Sequence, residues 1–207
     1  GQNSNAVAEL VFGLLVYAVR NFYNGTSGTE LMGKKLGIHA YGNVGRNVAR
    51  IAKGFGMEVL AYDAYCRVED IKQEGVNPTC SVKTLYQGCE IVSVHIPLTS
   101  ETRQIINKEL LELLPANAVM VNTARKEVVN EADLLQHMID NPKFKYVTDV
   151  APDNQAEIKE KAGDRYFATA KKMGAQTAEA NVNAGIAAAH QIVDFLKNGN
   201  QKYRVNN

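Results

Sequence analysis

Short apolar runs alternate with mixed polar and apolar stretches along most of the chain. The runs are continuous rather than strictly alternating, which predicts strands that are buried on both faces of a sheet. The stretches between them have apolar positions at helical spacing, which predicts helices. The predicted strands are 35–40, 57–62, 90–94, 118–122 and 145–149, with 166–169 as a candidate sixth strand. The predicted helices are 43–56, 82–88, 107–114, 130–139 and 177–198.

This alternation predicts an α/β fold in which a doubly wound parallel sheet lies between two layers of helices. Parallel strands need a crossover connection, which is usually a helix, and these crossovers are right-handed. All strands then end at the same edge of the sheet, and the loops that follow them are where ligands bind. The sequence therefore directs attention to the residues that follow each predicted strand.

The first apolar stretch, residues 6–19, predicts a helix that is apolar on more than one face. Such a helix needs more than one neighbour, so we expect a preceding segment or a partner subunit to cover it. The stretch contains Glu9 and is too short to cross a bilayer. One stripe of this helix comprises Val7, Leu10, Val11, Leu14, Leu15 and Ala18, and Phe12 and Val16 lie off that stripe.

Composition excludes several classes of protein. The net charge is +1, from 23 basic and 22 acidic residues, and the absence of a dense basic run argues against nucleic-acid binding. The cysteines Cys66, Cys80 and Cys89 are odd in number and lack metal-ligand spacing, so we expect buried, reduced thiols and no metal site. The beginning of the chain has no signal-peptide pattern. We expect a soluble cytoplasmic protein.

The segment 37–45, GIHAYGNVG, resembles the glycine turn that binds the diphosphate of a dinucleotide, with Ala40 in place of its first glycine. It follows a predicted strand, opens a predicted helix, and Asp63 ends the next strand, as the motif requires. Gly42 would let the backbone approach the phosphates, and Gly45 would let the helix pack on the strand. Ala40 is tolerable there if its φ is negative.

Asp63 would accept hydrogen bonds from the adenosine ribose and repel a 2′-phosphate, so we expect NAD rather than NADP. The alternative is a glycine turn with an unrelated acid after it. Among the histidines, we expect His39 to be a packed core residue, and His137 and His190 to face solvent or a subunit contact.

Several further motifs recur in order: VSVHIPLTSETRQIIN, VMVNTARKEVVNEADL, VTDV and MGAQTAEAN. With the glycine turn, they resemble the cofactor domain of the D-isomer-specific 2-hydroxyacid dehydrogenases, from Asn3 to about Gly199. The resemblance implies a Rossmann NAD-binding domain with an interdomain or dimer helix and connector in 1–34, the core in 35–169, and the active-site loop and C-terminal helix in 170–207. It also implies that the substrate domain precedes this chain, which alone should bind NAD weakly without turnover.

The resemblance implies roles for individual residues. The substrate-binding arginine is Arg125, whose planar fork can grip the carboxylate and keto oxygens of a 2-oxo acid. Asp149 would hydrogen-bond toward the nicotinamide. The cofactor-binding residues are expected to be Gly42, Asn43, Val44, Gly45, Asp63, His95, Ile96, Pro97, Thr123, Ala124, Arg125, Asp149, Lys172 and Gly174.

Two departures from the family pattern concern the acid/base group. The family has a histidine in a segment of the type P-H-I-G-G-S-T-x-E-A, where this chain has K-K-M-G-A-Q-T-A-E-A from residue 171, with Lys172 at the histidine position. The position of the histidine's glutamate partner holds Asn154, with Asp153 and Glu157 nearby. Whether any of these three residues assists Lys172 is left open.

The two departures make one coherent change. A lysine begins with a pKa of about 10.4 and must lose a proton to act as a base near neutrality. Burial and the Arg125 charge would lower that pKa, whereas a glutamate partner would hold the lysine protonated. We therefore expect Arg125 and Lys172 to be the catalytic residues.

Within the family, the resemblance is closest to members that oxidise 3-phospho-D-glycerate to 3-phosphohydroxypyruvate at the start of serine synthesis. Two alternatives stay open: a dehydrogenase for another 2-hydroxy acid such as glycerate or lactate, and an NAD-sensing binding module like the corepressors that share this fold. The expected partners are a small-molecule substrate and a second copy of the chain, joined through the N-terminal helix as a homodimer. We expect neither nucleic acid nor membrane as a partner.

Overall fold

A single sheet of seven parallel strands forms the centre of the computed structural model, which describes residues 1–204. The strand order is β3-β2-β1-β4-β5-β6-β7, with helices on both faces, so the predicted doubly wound α/β fold is confirmed. The strands are β1 Lys35–His39, β2 Glu58–Tyr62, β3 Asn77–Pro78, β4 Ile91–Val94, β5 Val119–Asn122, β6 Lys145–Thr148 and β7 Tyr166–Ala168. The α-helices are α1 Ser4–Val19, α2 Asn43–Gly54, α3 Val68–Gln73, α4 Val82–Gly88, α5 Lys108–Leu111, α6 Glu131–Asp140, α7 Gln155–Ala162 and α8 Ala178–Asn198.

The order of the strands reverses between β1 and β4, which pair with each other although they are not consecutive in sequence. In open α/β sheets, this reversal opens a crevice at the carboxyl ends of the strands, and ligands bind there. The glycine turn after β1 lies at this crevice, and the loops after β5 and β6 open on the same edge.

Sequence reasoning missed α3, β3 and α7. These elements are too short or too weakly amphipathic to show a period: α3 buries only Ile71, and α7 buries only Ile158 and Ala162. The helix predicted over 107–114 is shorter than expected: α5 ends at Leu111, and the chain tightens into turns in which the Leu113 and Leu114 N–H groups donate to the carbonyl oxygens three residues earlier.

We expected a preceding segment or a partner subunit to cover the first helix because it is apolar on several faces. The structure contradicts this reason. Helix α1 packs against α2 and against β5 and β6, so its several apolar faces meet neighbours from the same chain. Val11, Leu15 and Ala18 are fully buried there. The uncovered apolar helix is instead α8, where Ala180 is the one buried residue among those described.

Two expectations about which side chains are buried also need correction. His137 is buried rather than facing solvent, with its ring edge against Phe144 at 4.7 Å between centroids, whereas His190 is exposed as expected. All three cysteines are free thiols, but only Cys89 is buried; Cys66 is half-buried and Cys80 is exposed.

Between β1 and α2, the backbone at Ala40 adopts a conformation that differs from the one expected from the sequence. Ala40 has a φ of 81°, so the condition set for its tolerance, a negative φ, is not met. A Cβ-bearing residue is strained in this region, which glycine occupies freely. The alanine at the motif's first glycine position therefore costs stability.

His39 lies in β1 and is 3% exposed, as expected for a core residue. Its Nδ1 is 3.1 Å from the Tyr86 hydroxyl oxygen. Burial lowers the pKa of His39 from 6.5 to about 4, although the Asp63 carboxylate opposes this effect. His39 is therefore neutral in the folded protein at neutral pH.

Within residues 1–204, none of the helices combines the length and apolarity needed to span a bilayer.

Ala40→Gly should raise the free energy of unfolding by about 0.5–1 kcal/mol, because relief of a positive-φ strain of about 1–2 kcal/mol exceeds the extra freedom of glycine in the unfolded chain. Urea denaturation measures the change. The matched control is Ala132→Gly at an exposed position of α6, which should lower the free energy of unfolding by up to about 1 kcal/mol. A loss at both positions would contradict the strain at Ala40.

Acid should destabilise the protein partly through His39. The unfolded chain binds a proton at His39 below about pH 6.5, but the folded protein does so only near pH 4, so stability falls as the pH drops through this window. One such group contributes a slope of up to about 1.4 kcal/mol per pH unit. Urea denaturation at pH 7 and pH 4.5 should show a smaller loss for His39→Gln than for the wild type.

Glutamine keeps a hydrogen-bond acceptor for Tyr86 but does not titrate. His95 remains in both proteins, and His39 makes only the smaller contribution to its lowered pKa, so most of the difference between the two proteins comes from His39 itself. Equal losses in the two proteins would contradict the assignment.

Candidate functional site

The glycine turn presents the N-terminus of α2 to the crevice. The helix begins at Asn43, directly after Gly42, and its first turn contains no acidic residue, so its free N–H groups and positive dipole end favour an anion. A methyl group built on Gly42 would meet nothing within 4 Å, which leaves the backbone open to a ligand. A methyl group on Gly45 would lie 2.4 Å from the Ala40 carbonyl oxygen, so Gly45 has no room for a side chain. Val44 follows Asn43 in the first turn of the helix.

Asp63 follows β2 and lies against the turn. Its Oδ2 accepts from the Tyr41 N–H at 2.7 Å, and its Oδ1 accepts from the N–H groups of Tyr65 and Cys66, both at 2.8 Å. A carboxylate oxygen offers about two acceptor sites, so Oδ2 keeps one site free. The carboxylate is thus fixed in place and can still accept from a ribose hydroxyl.

A second cluster next to Asp63 was not anticipated from the sequence. Arg46 in α2 forms an ion pair with Glu74, and its guanidinium lies 5.0 Å from the centroid of the Tyr41 ring. The Tyr41 hydroxyl donates to Glu74 at 2.9 Å. Because Glu74 pairs with Arg46, this cluster adds no unpaired cation for a 2′-phosphate beside the ribose acid.

The loop after β4 contains His95, Ile96 and Pro97. The His95 N–H donates to the His39 carbonyl oxygen at 2.9 Å, and its ring Nε2 is 2.7 Å from the Ser93 hydroxyl. Burial, with a smaller contribution from His39, lowers the pKa of His95 to about 3. Ile96 is buried and Pro97 is exposed, so Pro97 is the side chain of this group that faces outward.

Two buried acceptors follow the neighbouring strands β5 and β6. Asp149 is 1% exposed; its Oδ2 accepts from the N–H groups of Gly174 at 2.7 Å and Met173 at 3.1 Å, while its Oδ1 has no hydrogen-bond partner among residues 1–204. Thr123 is 5% exposed, and its hydroxyl oxygen also has no partner in the described part of the chain. Buried polar atoms are rarely left unpaired, so both atoms fit a bound polar ligand such as a carboxamide. Gly174 packs so closely that an added methyl group would lie 3.1 Å from Asp149 Oδ2.

The buried Asn122 side chain shapes the loop after β5. Its Oδ1 accepts from the Ala124 N–H at 2.9 Å, and its Nδ2 donates to the Arg125 carbonyl oxygen at 2.9 Å. The backbone carbonyl oxygen of Asn122 accepts from the Thr148 hydroxyl at 2.6 Å, and this bond connects the loop to the end of β6. These bonds direct the Ala124 carbonyl oxygen toward the loop that follows β7.

Arg125 and Lys172 meet at that carbonyl oxygen. Arg125 Nη1 donates to it at 2.7 Å and Lys172 Nζ donates to it at 3.1 Å. Both residues line a cleft of about 430 Å³ that also includes Asp149. The structure thus brings together the three residues that the sequence predicted for the chemical end of the site.

The environment of Lys172 shifts its protonation toward the neutral form, although the residue as a whole is exposed. Burial lowers the pKa of the Lys172 ammonium, and the Arg125 charge lowers it further, while Asp149 and Glu127 oppose both effects. Its one hydrogen bond among the described residues is to an uncharged carbonyl oxygen. Within residues 1–204, Lys172 thus has no carboxylate as a hydrogen-bond or ion-pair partner, although Asp149 and Glu127 are near enough to act on its pKa.

None of the three residues left open as helpers forms a hydrogen bond or ion pair with Lys172 within residues 1–204. Asp153 forms an ion pair with Lys126. The Asn154 side chain donates to the Glu131 carbonyl oxygen at 3.0 Å. Glu157 lies in the first turn of α7.

Comparisons with known proteins identify the family of this chain. Residues 17–172 match the profile of the D-isomer specific 2-hydroxyacid dehydrogenase, NAD binding domain. The hydroxypyruvate reductase of Thermotoga maritima is 32% identical in a match that covers 95% of this chain and 68% of that protein. The D-3-phosphoglycerate dehydrogenase of Methanocaldococcus jannaschii is 31% identical, over 94% of this chain and 40% of that protein.

A crystal structure of 3-phosphoglycerate dehydrogenase from Entamoeba histolytica with bound NAD⁺ is similar over the whole chain. Its TM-score is 0.91, its sequence is 40% identical, and the match covers 66% of that protein. The chain thus spans from two fifths to about two thirds of the length of these relatives. Since the family profile covers most of the sequence and the fold agrees, this chain belongs to the D-isomer-specific 2-hydroxyacid dehydrogenases and is their NAD-binding domain.

Proposed function

We propose that this chain is the NAD-binding part of an enzyme that oxidises 3-phospho-D-glycerate to 3-phosphohydroxypyruvate, the first step of serine synthesis. The observation that supports catalysis best is the meeting of Arg125 and Lys172 at the Ala124 carbonyl oxygen, in the same cleft as Asp149. The choice of substrate rests on the likeness to 3-phosphoglycerate dehydrogenases.

The cofactor would lie along the carboxyl edge of the sheet. In this proposal, the turn from Gly42 to Gly45 holds the diphosphate and Asp63 holds the adenosine ribose, with Ile96 and Pro97 beside the adenosine. Asp149 Oδ1 and Thr123 would receive the carboxamide of the nicotinamide. Bound NAD supplies the acceptor for the hydride that leaves C2 of the hydroxy acid.

Arg125 orients the substrate. Its guanidinium presents parallel N–H donors that match the carboxylate and the C2 oxygen of a 2-hydroxy acid. The bond from Nη1 to the Ala124 carbonyl oxygen fixes one side of the guanidinium and leaves its other donors for the substrate. The substrate is thereby placed beside Lys172, which donates to the same oxygen.

Lys172 exchanges the substrate proton. Neutral Lys172 accepts the C2 hydroxyl proton as the hydroxy acid is oxidised, and protonated Lys172 returns it to the carbonyl oxygen in reduction. The lowered pKa of this lysine increases the neutral fraction that oxidation requires. The absence of an acidic residue bonded to it in the described chain agrees with this role.

The domain arrangement and the oligomeric state that we propose rest on the likeness to the same family. We propose that residues 1–34 form the interdomain and dimer segment, that 35–169 form the Rossmann core, and that 170–207, of which 205–207 lie outside the described residues, include the active-site loop and last helix, with a substrate domain preceding them. We also propose a cytoplasmic homodimer that contacts its second copy through α1; this rests on the family likeness alone, because the apolar faces of α1 are covered within this chain. Another 2-hydroxy acid remains the second candidate substrate, because the Thermotoga maritima relative is a hydroxypyruvate reductase.

Lys172→Ala in the complete protein should lower kcat by about 10²-fold or more, as expected for a lost general acid/base, with NADH binding retained. Steady-state kinetics and NADH fluorescence titration measure the two effects. Lys171→Ala, at the exposed neighbouring position, is the control and should keep near-normal turnover. Unchanged turnover in Lys172→Ala would remove this lysine from the mechanism, whereas NADH binding without turnover in the wild-type protein would favour an NAD-sensing binding module.

The substrate assignment is tested by kcat/KM for 3-phospho-D-glycerate, D-glycerate and D-lactate in the complete protein. We expect the phosphorylated acid to be preferred by about 10- to 10²-fold, since a polar site that loses one charge-assisted partner typically loses about 1.5–3 kcal/mol. Equal values for the three acids would contradict the phosphoglycerate proposal while leaving the dehydrogenase chemistry intact.

A further inference from the structure

A lysine and an aspartate connect two loops at the edge of the catalytic cleft. Lys126 follows Arg125 in the loop after β5, and its side chain lines the same cleft as Lys172. Its Nζ bonds to Asp153 Oδ1, in the loop after β6. The Asp153 side chain is 80% exposed, so its position depends on this pairing rather than on packing.

Glu131 holds the backbone of the same loop. Its carboxylate accepts from the Asp153 N–H at 3.0 and 2.9 Å and from the Asn154 N–H at 3.2 Å. The loop is thus fixed through its backbone by Glu131, and the Asp153 carboxylate is directed by Lys126. Removal of the Lys126 charge should therefore release the side chain of Asp153 without releasing its backbone.

The charged groups around Lys172 come from three loops. Arg125 and Glu127 follow β5, Asp149 follows β6, and Lys171 is its neighbour in the loop after β7. The Asp149 carboxylate already accepts two backbone N–H groups, so it is not free to move onto the lysine. In the loop after β6, the Asp153 carboxylate is exposed, and its partner is Lys126, which lines this cleft.

We propose that Lys126 is a positioning residue: by pairing with Asp153, it keeps that carboxylate away from Lys172, which can then work without an ion-pair partner. The inference rests on the role proposed above for Lys172. A lysine that must accept a proton is disabled by a neighbouring carboxylate, because opposite charges favour the protonated form. Lys126 therefore serves the chemistry without contacting the reacting atoms.

The titration of Lys172 tests this proposal directly. Reductive methylation of the full chain with ¹³C-formaldehyde gives each lysine an NMR signal that moves with its protonation, and the signal lost in Lys172→Arg identifies Lys172. In Lys126→Met, the midpoint of the Lys172 titration should rise by about one pH unit, the lower range expected for a new opposite charge nearby. The alkaline shift should also appear in the pH profile of kcat/KM for oxidation by the complete protein.

Two further variants separate the carboxylate from the lost lysine charge. Lys126→Arg keeps the pairing and should titrate like the wild type. Lys126→Met combined with Asp153→Asn removes the released carboxylate and should return the midpoint to within about 0.3 pH unit of the wild type, a small fraction of a typical opposite-charge effect. Lys108→Met, which breaks an exposed pair with Glu112 at 3.7 Å on α5, is the matched control and should change nothing at Lys172.

An unchanged midpoint in Lys126→Met would overturn the proposal, and so would an equal rise in the double variant, since Asp153 would then not be the cause. Lys126→Gln gives the same test if the methionine variant fails to fold. A midpoint that moves as expected, with no change in the pH profile of activity, would support the positioning role of Lys126 and contradict the proposed role of Lys172.

Discussion

The hydrogen bonds of the buried Asn122 side chain are the constraint on which the candidate site depends. They curve the chain immediately after β5, so that the Ala124 N–H turns inward and the Ala124 carbonyl oxygen turns toward the cleft. The bond from Thr148 to the Asn122 carbonyl oxygen connects this curve to the end of β6. Because the parallel register already aligns Asn122 with Thr148, the two loops emerge side by side. The Asn122 amide thus shapes the loop that contains Arg125, and the parallel register places the ends of β5 and β6, which precede Thr123 and Asp149, beside each other.

Charge is distributed unevenly along this edge of the sheet. At the adenosine end, Asp63 is held by backbone N–H groups and Arg46 is paired with Glu74, so an acid dominates where a ribose would bind. At the end proposed for catalysis, Arg125 and Lys172 share a neutral oxygen as their acceptor. Both arrangements control charge by pairing some groups and leaving others unpaired. The expected preference for NAD over NADP and the lowered pKa of Lys172 rest on this common physical basis.

Much of the fold could be predicted from the sequence, because continuous apolar runs identify buried strands and the glycine turn identifies the first crossover. Arg125, Asp149 and Lys172 were each predicted from a motif after a strand, and the common edge of a parallel sheet explains why they meet. Other features depend on contacts that local patterns do not contain. The cover of α1 comes from distant strands, His137 is buried against Phe144, and the Lys126–Asp153 pair joins two separate loops.

The positive φ of Ala40 could not be predicted for a related reason. An alanine in a glycine position indicates a negative φ by its intrinsic preference, but here Gly45 packs directly against the Ala40 carbonyl oxygen and Ala40 keeps the positive φ of a glycine position. The structure accepts local strain so that helix α2 can begin against β1. The motif is therefore a better guide to the backbone than the identity of this one residue.

The central claim is that the cleft around the Ala124 carbonyl oxygen is where a 2-hydroxy acid meets the nicotinamide. A crystal structure of the complete protein with NADH and 3-phosphohydroxypyruvate tests it most directly. The account predicts the substrate carboxylate on Arg125, the C2 oxygen within about 3 Å of Lys172 Nζ, and the carboxamide at Asp149 Oδ1. A substrate bound with its C2 oxygen on another side chain, or a nicotinamide outside this cleft, would contradict it.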